Sequence, residues 1–360
     1  MPLFLKKILD NHNVMLYGLI MDYAKLTQKK QRIDKFRPLS HHLAKSLDDW
    51  FRIELTYNSN AIEGNTLTRN ETAVIVEKGI TVGGKSLKEH LEATNHIKAL
   101  DWIKALSAKK PGDITERDIL ELQGIILKGI DDNNAGCYRN VRVRISGSVI
   151  VLPSPQKVPD LMAGLINWLS CEHKMHPVAL AGEAHYRLVS IHPFIDGNGR
   201  TARLLMNLIL MMSGYPPALI RKEDRLAYIN ALEKAQLGGA LDDYNKIIIK
   251  AVNRSLDIYH NALMDKEEKS PSIAEKYLRI GELAVRVQEA NSTIRHWTKE
   301  GLIDIADKTA AGYQLYSIET VDRIKRIKEL KAQRYTLSEI KNILSGKISV
   351  NVKAGSFVKG

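Results

Sequence analysis

The densest chemistry in this chain lies in His192-Pro193-Phe194-Ile195-Asp196-Gly197-Asn198-Gly199-Arg200-Thr201-Ala202-Arg203. Gly197 and Gly199 permit a tight turn that brings backbone N–H groups against a ligand, and the helix predicted to start near Thr201 turns its positive end to the same place. Arg200 and Arg203 stand three residues apart, on one face of the helix's first turn, where cations are unfavourable unless an anion neutralises them. Asp196 supplies one hard oxygen for an octahedral Mg²⁺ whose other ligands would be phosphate oxygens and water. His192, close to neutral near pH 7, can take a proton from an incoming hydroxyl. Each of these residues alone is commonplace in a turn or a core. Together, a base, a metal carboxylate, an amide, two glycines and two arginines describe a polyphosphate site.

The elements that must position this loop read as helices. Apolar residues recur at helical spacing over Leu43–Leu55, Leu87–Leu106, Val158–Cys171, Ala179–Ser190, Thr201–Met212, and from Arg225 through Asp242–Leu263, with breaks at His176-Pro177, Gly214 and Pro216-Pro217. One stretch differs. Val141, Val143 and Ile145 alternate with Arg142 and Arg144, then Ser146-Gly147-Ser148 precedes Val149–Leu152, the pattern of a β-hairpin with a glycine turn. The charged run from Met264 to Ser270, closed by Pro271, has the composition of a linker. The expected organisation is an N-terminal helical region (1–110), a catalytic core (111–265), a linker (266–276), a second domain (277–346) and a tail (347–360).

A chain of 360 residues exceeds what one core usually organises. With 44% hydrophobic and 26% charged residues it has the balance of a globular protein in water, and its longest apolar run, Leu204–Met212, is too short to span a membrane. No membrane partner is expected. Met1–Lys7 lacks the order of a secretory leader, and Cys137 and Cys171 form no CxxC pair, so a cytoplasmic protein without a disulfide framework or zinc module is expected. The net charge of +12 is compatible with phosphate ligands or nucleic acid, and residues 266–360 carry 18 Lys and Arg against 12 Asp and Glu, half of that excess.

The segment from His192 to Arg203 resembles the signature of the Fic family, His-x-Phe-x-(Asp/Glu)-Gly-Asn-Gly-Arg-x-x-Arg, at every defined position. The resemblance implies a helical Fic fold with the hairpin as a flap, and an enzyme that moves AMP from ATP to a protein hydroxyl. His192 would activate that hydroxyl, Asp196 would hold Mg²⁺, and Asn198, Arg200 and Arg203 would grip the phosphates with the Gly197 and Gly199 amides. Phe194 would anchor the loop in the core. The flap would pair with the target protein by strand addition. Tyr228, in Arg225–Leu232, would stack on the nucleotide base. Ser59-Asn60-Ala61-Ile62-Glu63-Gly64 is similar to the family's inhibitory motif (Ser/Thr)-x-x-x-Glu-(Gly/Asn), which implies that Glu63 pairs with Arg203 where the γ-phosphate should sit.

The span Ile280–Leu344 resembles the winged helix-turn-helix of the MerR family, which implies DNA contacts from Arg295 and His296 on the second helix and from the Gly312-Tyr313 wing. It departs from that family at the bend Val287-Gln288-Glu289-Ala290-Asn291, which lacks the usual glycine, and at Gln314, where arginine is common. The expected class is thus mainly α, a helical Fic fold with one β-hairpin flap followed by a small winged helix-turn-helix. The expected function is autoinhibited protein AMP transfer with a DNA-binding appendix. Removal of AMP, transfer from another nucleotide, and a transcription regulator that only senses nucleotide are the alternatives, and a homo-oligomer is compatible with each.

Overall fold

The computed structural model describes residues 21–171, 173–268, 277–308 and 313–344. The chain divides into two compact units, Met1–Met264 and Asp265–Gly360. Residues 21–34 are helical (α1). There follow α2 (His41–Ile62), α3 (Arg69–Lys78), α4 (Leu87–Leu106), α5 (Glu116–Leu127), α6 (Val158–Ser170), α7 (Pro177–Ile191), α8 (Asn198–Met212), α9 (Arg225–Gln236) and α10 (Asp242–Glu268). Their starts obey local chemistry: Thr68, Ser86 and Thr115 each close a capping box with Glu71, Glu89 and Asp118, and Pro177 opens α7 at the one position where a missing N–H costs nothing.

Helix α8 is the centre of the first unit. Ala202, Leu204, Leu205, Met206, Leu208, Ile209 and Leu210 are all buried, so this helix is apolar around most of its circumference and is packed on by α7, α4 and α5. A helix buried on all sides is rigid, and its N-terminus is where the loop from His192 to Gly197 enters. The same core holds Leu122 and Ile126 from α5 and Leu188 from α7, the two helices that flank the loop.

The hairpin expected at Val141–Leu152 needs correction in one respect. The chain turns where glycine was expected, with Gly147 at φ 77° and Ser148 N–H donating to Ile145 at 3.1 Å, but its arms form no strand. The reason is the tip's anchorage. Ser148 Oγ (2.6 Å) and Val149 N–H (3.1 Å) both donate to Glu233 Oε1 of α9, which binds the flap to a helix instead of pairing it on itself. Helix α10 also runs to Glu268, into the stretch whose charge and proline suggested a linker, because its lysines and glutamates are good helix formers. The remainder of that stretch, and the tail, lie outside the described residues.

The second unit has β1 (Tyr277–Arg279), α11 (Ile280–Val287), α12 (Asn291–Lys299), β2 (Asp307–Lys308), β3 (Gln314–Ser317), α13 (Thr320–Ala332) and α14 (Leu337–Leu344). Its antiparallel sheet has the order β1-β3-β2, with Leu278 opposite Tyr316 and Lys308 opposite Gln314. Leu283, Ile294, Trp297, Tyr316, Ile324 and Ile327 form its core. The bend between α11 and α12 lacks glycine, and Gln288 itself takes the left-handed conformation there, φ 54°. Among the described residues no helix is long and apolar enough to cross a membrane.

Candidate active site

Helix α7 ends at His192, which adopts φ 51° and ψ 59°, left-handed values that non-glycine residues rarely take. Its N–H closes the helix on Leu188 O at 2.9 Å, and its own carbonyl accepts from Arg139 Nε at 2.7 Å. Backbone strain of about 1–3 kcal/mol is typical of such a residue and persists only where surroundings enforce it. Arg139 does so. It is buried, its N–H donates to Pro193 O (2.9 Å), and its other guanidinium nitrogens donate to Val141 O (3.3 Å) and Pro153 O (2.7 Å), the two roots of the flap. Sequence reasoning missed Arg139, since an arginine before alternating valines gives no sign that it clamps the signature loop.

The loop then folds on itself. Phe194 is fully buried, and its N–H and C=O both bond the side chain of Asn198, at 3.0 and 2.9 Å. The Asn198 side chain therefore shapes the loop, which leaves its backbone N–H as the group it can offer a phosphate. Gln123 of α5, also unmarked by sequence, donates to Asp196 O at 3.1 Å and accepts from Gly136 N–H at 2.5 Å, bridging the loop to the approach of the flap. Gly197 is required: at φ 82° it caps α8, and a side-chain Cβ there would press on Ile126.

Beyond Gly197, the amides of Asn198, Gly199 and Arg200 are first-turn groups without helical acceptors, and the macrodipole adds positive potential. The Glu63 carboxylate lies beside Gly199 in this turn. Its Oε1 accepts from Arg203 Nη2 at 2.7 Å, and a Cβ at Gly199 would overlap that same oxygen. Arg203 is buried and is held by Ser59 as well, through Oγ (3.0 Å) and the backbone carbonyl (2.9 Å). Serine at position 59 and glutamate at 63 thus grip one guanidinium from a single turn at the end of α2. We expect Gly199→Ala to lower the Tm of the wild-type chain by several degrees, since overpacking typically costs about 1–3 kcal/mol, and Glu63→Gly to recover most of that loss. Thermal unfolding of the two single variants and the double variant measures the coupling; additive losses would place Glu63 elsewhere.

The electrostatics suit a neutral base beside an anion hole. Burial lowers the pKa of His192, helped by Arg139 and opposed by the Val189 carbonyl that faces the ring, by Glu63 and by Asp196. The ring is neutral at pH 7. Asp196 is half exposed, with its Oδ1 accepting from Gly197 N–H (2.5 Å) and Arg200 Nη2 (3.3 Å). No group of three metal-ligating side chains occurs among the described residues, so a cage of protein ligands does not fit here, whereas a Mg²⁺ sharing one carboxylate with substrate phosphates does.

Tyr228 is corrected outright as a base-stacking residue. It is 2% exposed, and its hydroxyl lies 2.6 Å from His185 Nε2. Tyr244 OH gives its single proton to Gly182 O (2.9 Å), so it accepts from His185 Nδ1 (2.8 Å), which leaves Nε2 to accept from Tyr228. His185 and His96 flank Arg203, and burial, with that charge adding to it, pushes each down to about 3. Both are neutral, so Arg203 keeps its positive field.

In the second unit Arg295 and His296 are exposed on α12, and Tyr313 is 67% exposed beside β3. Arg295, Lys299, Asn291, Tyr313 and Gln314 line one groove. His296 is not in that lining and sits 4.0 Å from Glu300. Gly312 lies outside the described residues.

Comparison with known proteins adds a consistent set of matches. Residues 113–210 match the Fic/DOC family, and residues 278–347 match the MerR HTH family regulatory proteins. The chain is 38% identical over 255 residues to the protein adenylyltransferase Fic of Drosophila sechellia, covering 69% of this chain and 51% of that protein. It thus spans about half the length of the curated relatives it matches. Among solved structures, Fic-1 from C. elegans aligns with a TM-score of 0.64 at 33% identity, over 72% of this chain and 77% of that one. A Fic domain containing signaling protein from Bacteroides thetaiotaomicron aligns at 0.61 and 33% identity, over 69% of this chain and all of the other. With the complete signature folded as a loop ahead of α8 and a relative covered end to end, the chain belongs to the Fic family.

Proposed function

We propose that this chain transfers AMP from ATP to a protein hydroxyl and that Glu63 holds it in check. The observation that carries the reading is the position of the Glu63 carboxylate: it bonds Arg203 and lies close against the Cα side of Gly199, in the first turn of a helix whose N-terminus favours an anion. A phosphate placed there uses the first-turn amides, Arg203 and Arg200. The target oxygen attacks the α-phosphorus, one P–O bond forms, the bond to the bridging oxygen breaks, pyrophosphate departs and the proton passes to His192. Mg²⁺ held by Asp196 would neutralise phosphate charge. Asn198 and Phe194 keep the loop in shape for this, and Arg139 fixes the ring-bearing residue. The flap presents Val149 and Val151 at 74% and 91% exposure on backbone that forms no strand ladder, a surface suited to an extended target segment. ATP labelled on the α-phosphate should label protein and ATP labelled on the γ-phosphate should not; the reverse pattern would mean phosphoryl transfer.

The exposed Arg295 and its groove support DNA as a second partner. We expect the intact chain to bind duplex DNA with an affinity that falls steeply as salt rises, and Arg295→Ala to cost about 1–3 kcal/mol at one base position. Fluorescence anisotropy across salt concentrations and site variants measures both, and salt-insensitive binding would point to a protein partner.

A further inference from the structure

The first arginine of the loop is the least satisfied cation in the site. Arg200 is 2% exposed, yet its Nε and Nη1 have no hydrogen-bond partner, and its one bond, Nη2 to Asp196, is long at 3.3 Å. A buried guanidinium that lacks partners is costly unless a counter-charge stands near. The charge that stands near is Glu92, in the second turn of α4, with Oε1 3.2 Å from Arg200 Nη1 at ion-pair range but outside hydrogen-bond geometry. Glu92 is itself buried, 8% exposed.

Glu92 also touches the inhibitory segment. Its Oε2 accepts from Asn65 Nδ2 at 2.8 Å, and its backbone carbonyl accepts from Asn60 Nδ2 at 3.2 Å. Asn65 lies two residues after Glu63 and Asn60 three before it, so both ends of the turn that carries Glu63 are tied to one residue of α4. Asn65 N–H closes the same turn on Asn60 O at 3.0 Å. One carboxylate therefore faces the phosphate-binding arginine with one oxygen and the segment that carries the lock with the other.

We propose that Glu92 is a positioning residue with two linked duties: it holds Arg200 in place of phosphate while the nucleotide is absent, and through Asn65 and Asn60 it fixes the turn from which Glu63 reaches Arg203. The lock then has two carboxylates, from α2 and from α4, one for each arginine of the loop. Phosphate arriving at Arg200 competes with Glu92, as phosphate at Arg203 competes with Glu63. This rests on the nucleotide reading of the site.

The test is nucleotide binding to the intact chain, by calorimetry with Mg²⁺ and ADP or ATP, for wild type, Glu92→Gln, Asn65→Ala and Glu63→Gly. Glutamine keeps the size and an acceptor for Asn65 but removes the charge. Glu92→Gln should lower the Tm of the free protein, bind ADP about tenfold more tightly than wild type, and show a larger rise in Tm on adding ADP, because the phosphate then supplies Arg200 with the charge that Glu92 provided and that the long contact to Asp196 does not replace. A merely structural glutamate would lower Tm without enlarging that rise. Asn65→Ala, which leaves Arg200 and Glu92 together, should raise AMP labelling severalfold, with no added gain in Glu63→Gly, since Asn65 acts by placing Glu63. If Glu92→Gln proves insoluble, that non-additivity still decides the coupling. Equal ADP affinity and equal Tm rise in Glu92→Gln and wild type, with Glu63→Gly binding ATP normally, would overturn the inference alone. Absence of nucleotide binding in every variant, Glu63→Gly included, would overturn the nucleotide reading and the inference with it.

Discussion

Glu63→Gly should raise AMP incorporation into the enzyme itself or a target by about two orders of magnitude over wild type at equal ATP. The estimate follows from the contact. A charge-assisted bond from a buried arginine to a carboxylate that is 37% exposed is discounted for solvent to about 2–3 kcal/mol, and each 1.4 kcal/mol is tenfold in population. Removing the carboxylate also removes its repulsion of the γ-phosphate and leaves Arg203 still held by Ser59, so the arginine keeps its place while its ligand site opens. Incorporation of α-labelled ATP, compared between the two proteins, gives the ratio. Equal labelling would reduce Glu63 to the end cap of α2, which it also is.

His192→Ala, placed in the Glu63→Gly background, should abolish transfer while nucleotide affinity stays within about twofold. General-base catalysis contributes about 10²–10⁴ in rate, and none of the phosphate contacts runs through the imidazole. Alanine at φ 51° pays a backbone penalty that asparagine largely avoids, so His192→Asn separates the two effects: it should fold as well as wild type and be just as inactive. Because burial lowers the His192 pKa, the base stays neutral to more acidic pH than an ordinary histidine, and the rising limb of the pH–rate profile should fall below about 6.5. Residual transfer at wild-type rate, or calorimetry showing lost ATP binding, would remove the base assignment.

Most of the site's composition was legible without a structure because its residues are contiguous. A twelve-residue loop carries its own geometry: glycine at 197 for the left-handed cap of α8, phenylalanine at 194 for the core, arginines at 200 and 203 on one helical face. Helix α4 was legible to the residue, since the apolar spacing over Leu87–Leu106 marks its length, and the structure adds the capping box of Ser86 and Glu89 at its start. Even the pairing of Glu63 with Arg203, 140 positions apart, follows from two motifs read together.

What periodicity could not say is which side of an element meets what. Tyr228 falls at a helical spacing that suits a core as well as a nucleotide pocket, and only the packing of α9 on α7 and α10 buries it against His185. The side chain of Asn198 braces Phe194, a role that the motif does not spell out, because the loop's tight return places its amide against that backbone. The flap alternates like a pair of strands, but a carboxylate from α9 holds its tip, and the ladder does not form. Arg139, Gln123 and Glu92 carry no motif at all. Their roles arise from where α4, α5 and the flap's root are brought alongside the N-terminus of α8, where a buried backbone must be satisfied and a buried charge must be matched by whichever side chains the tertiary fold puts within reach.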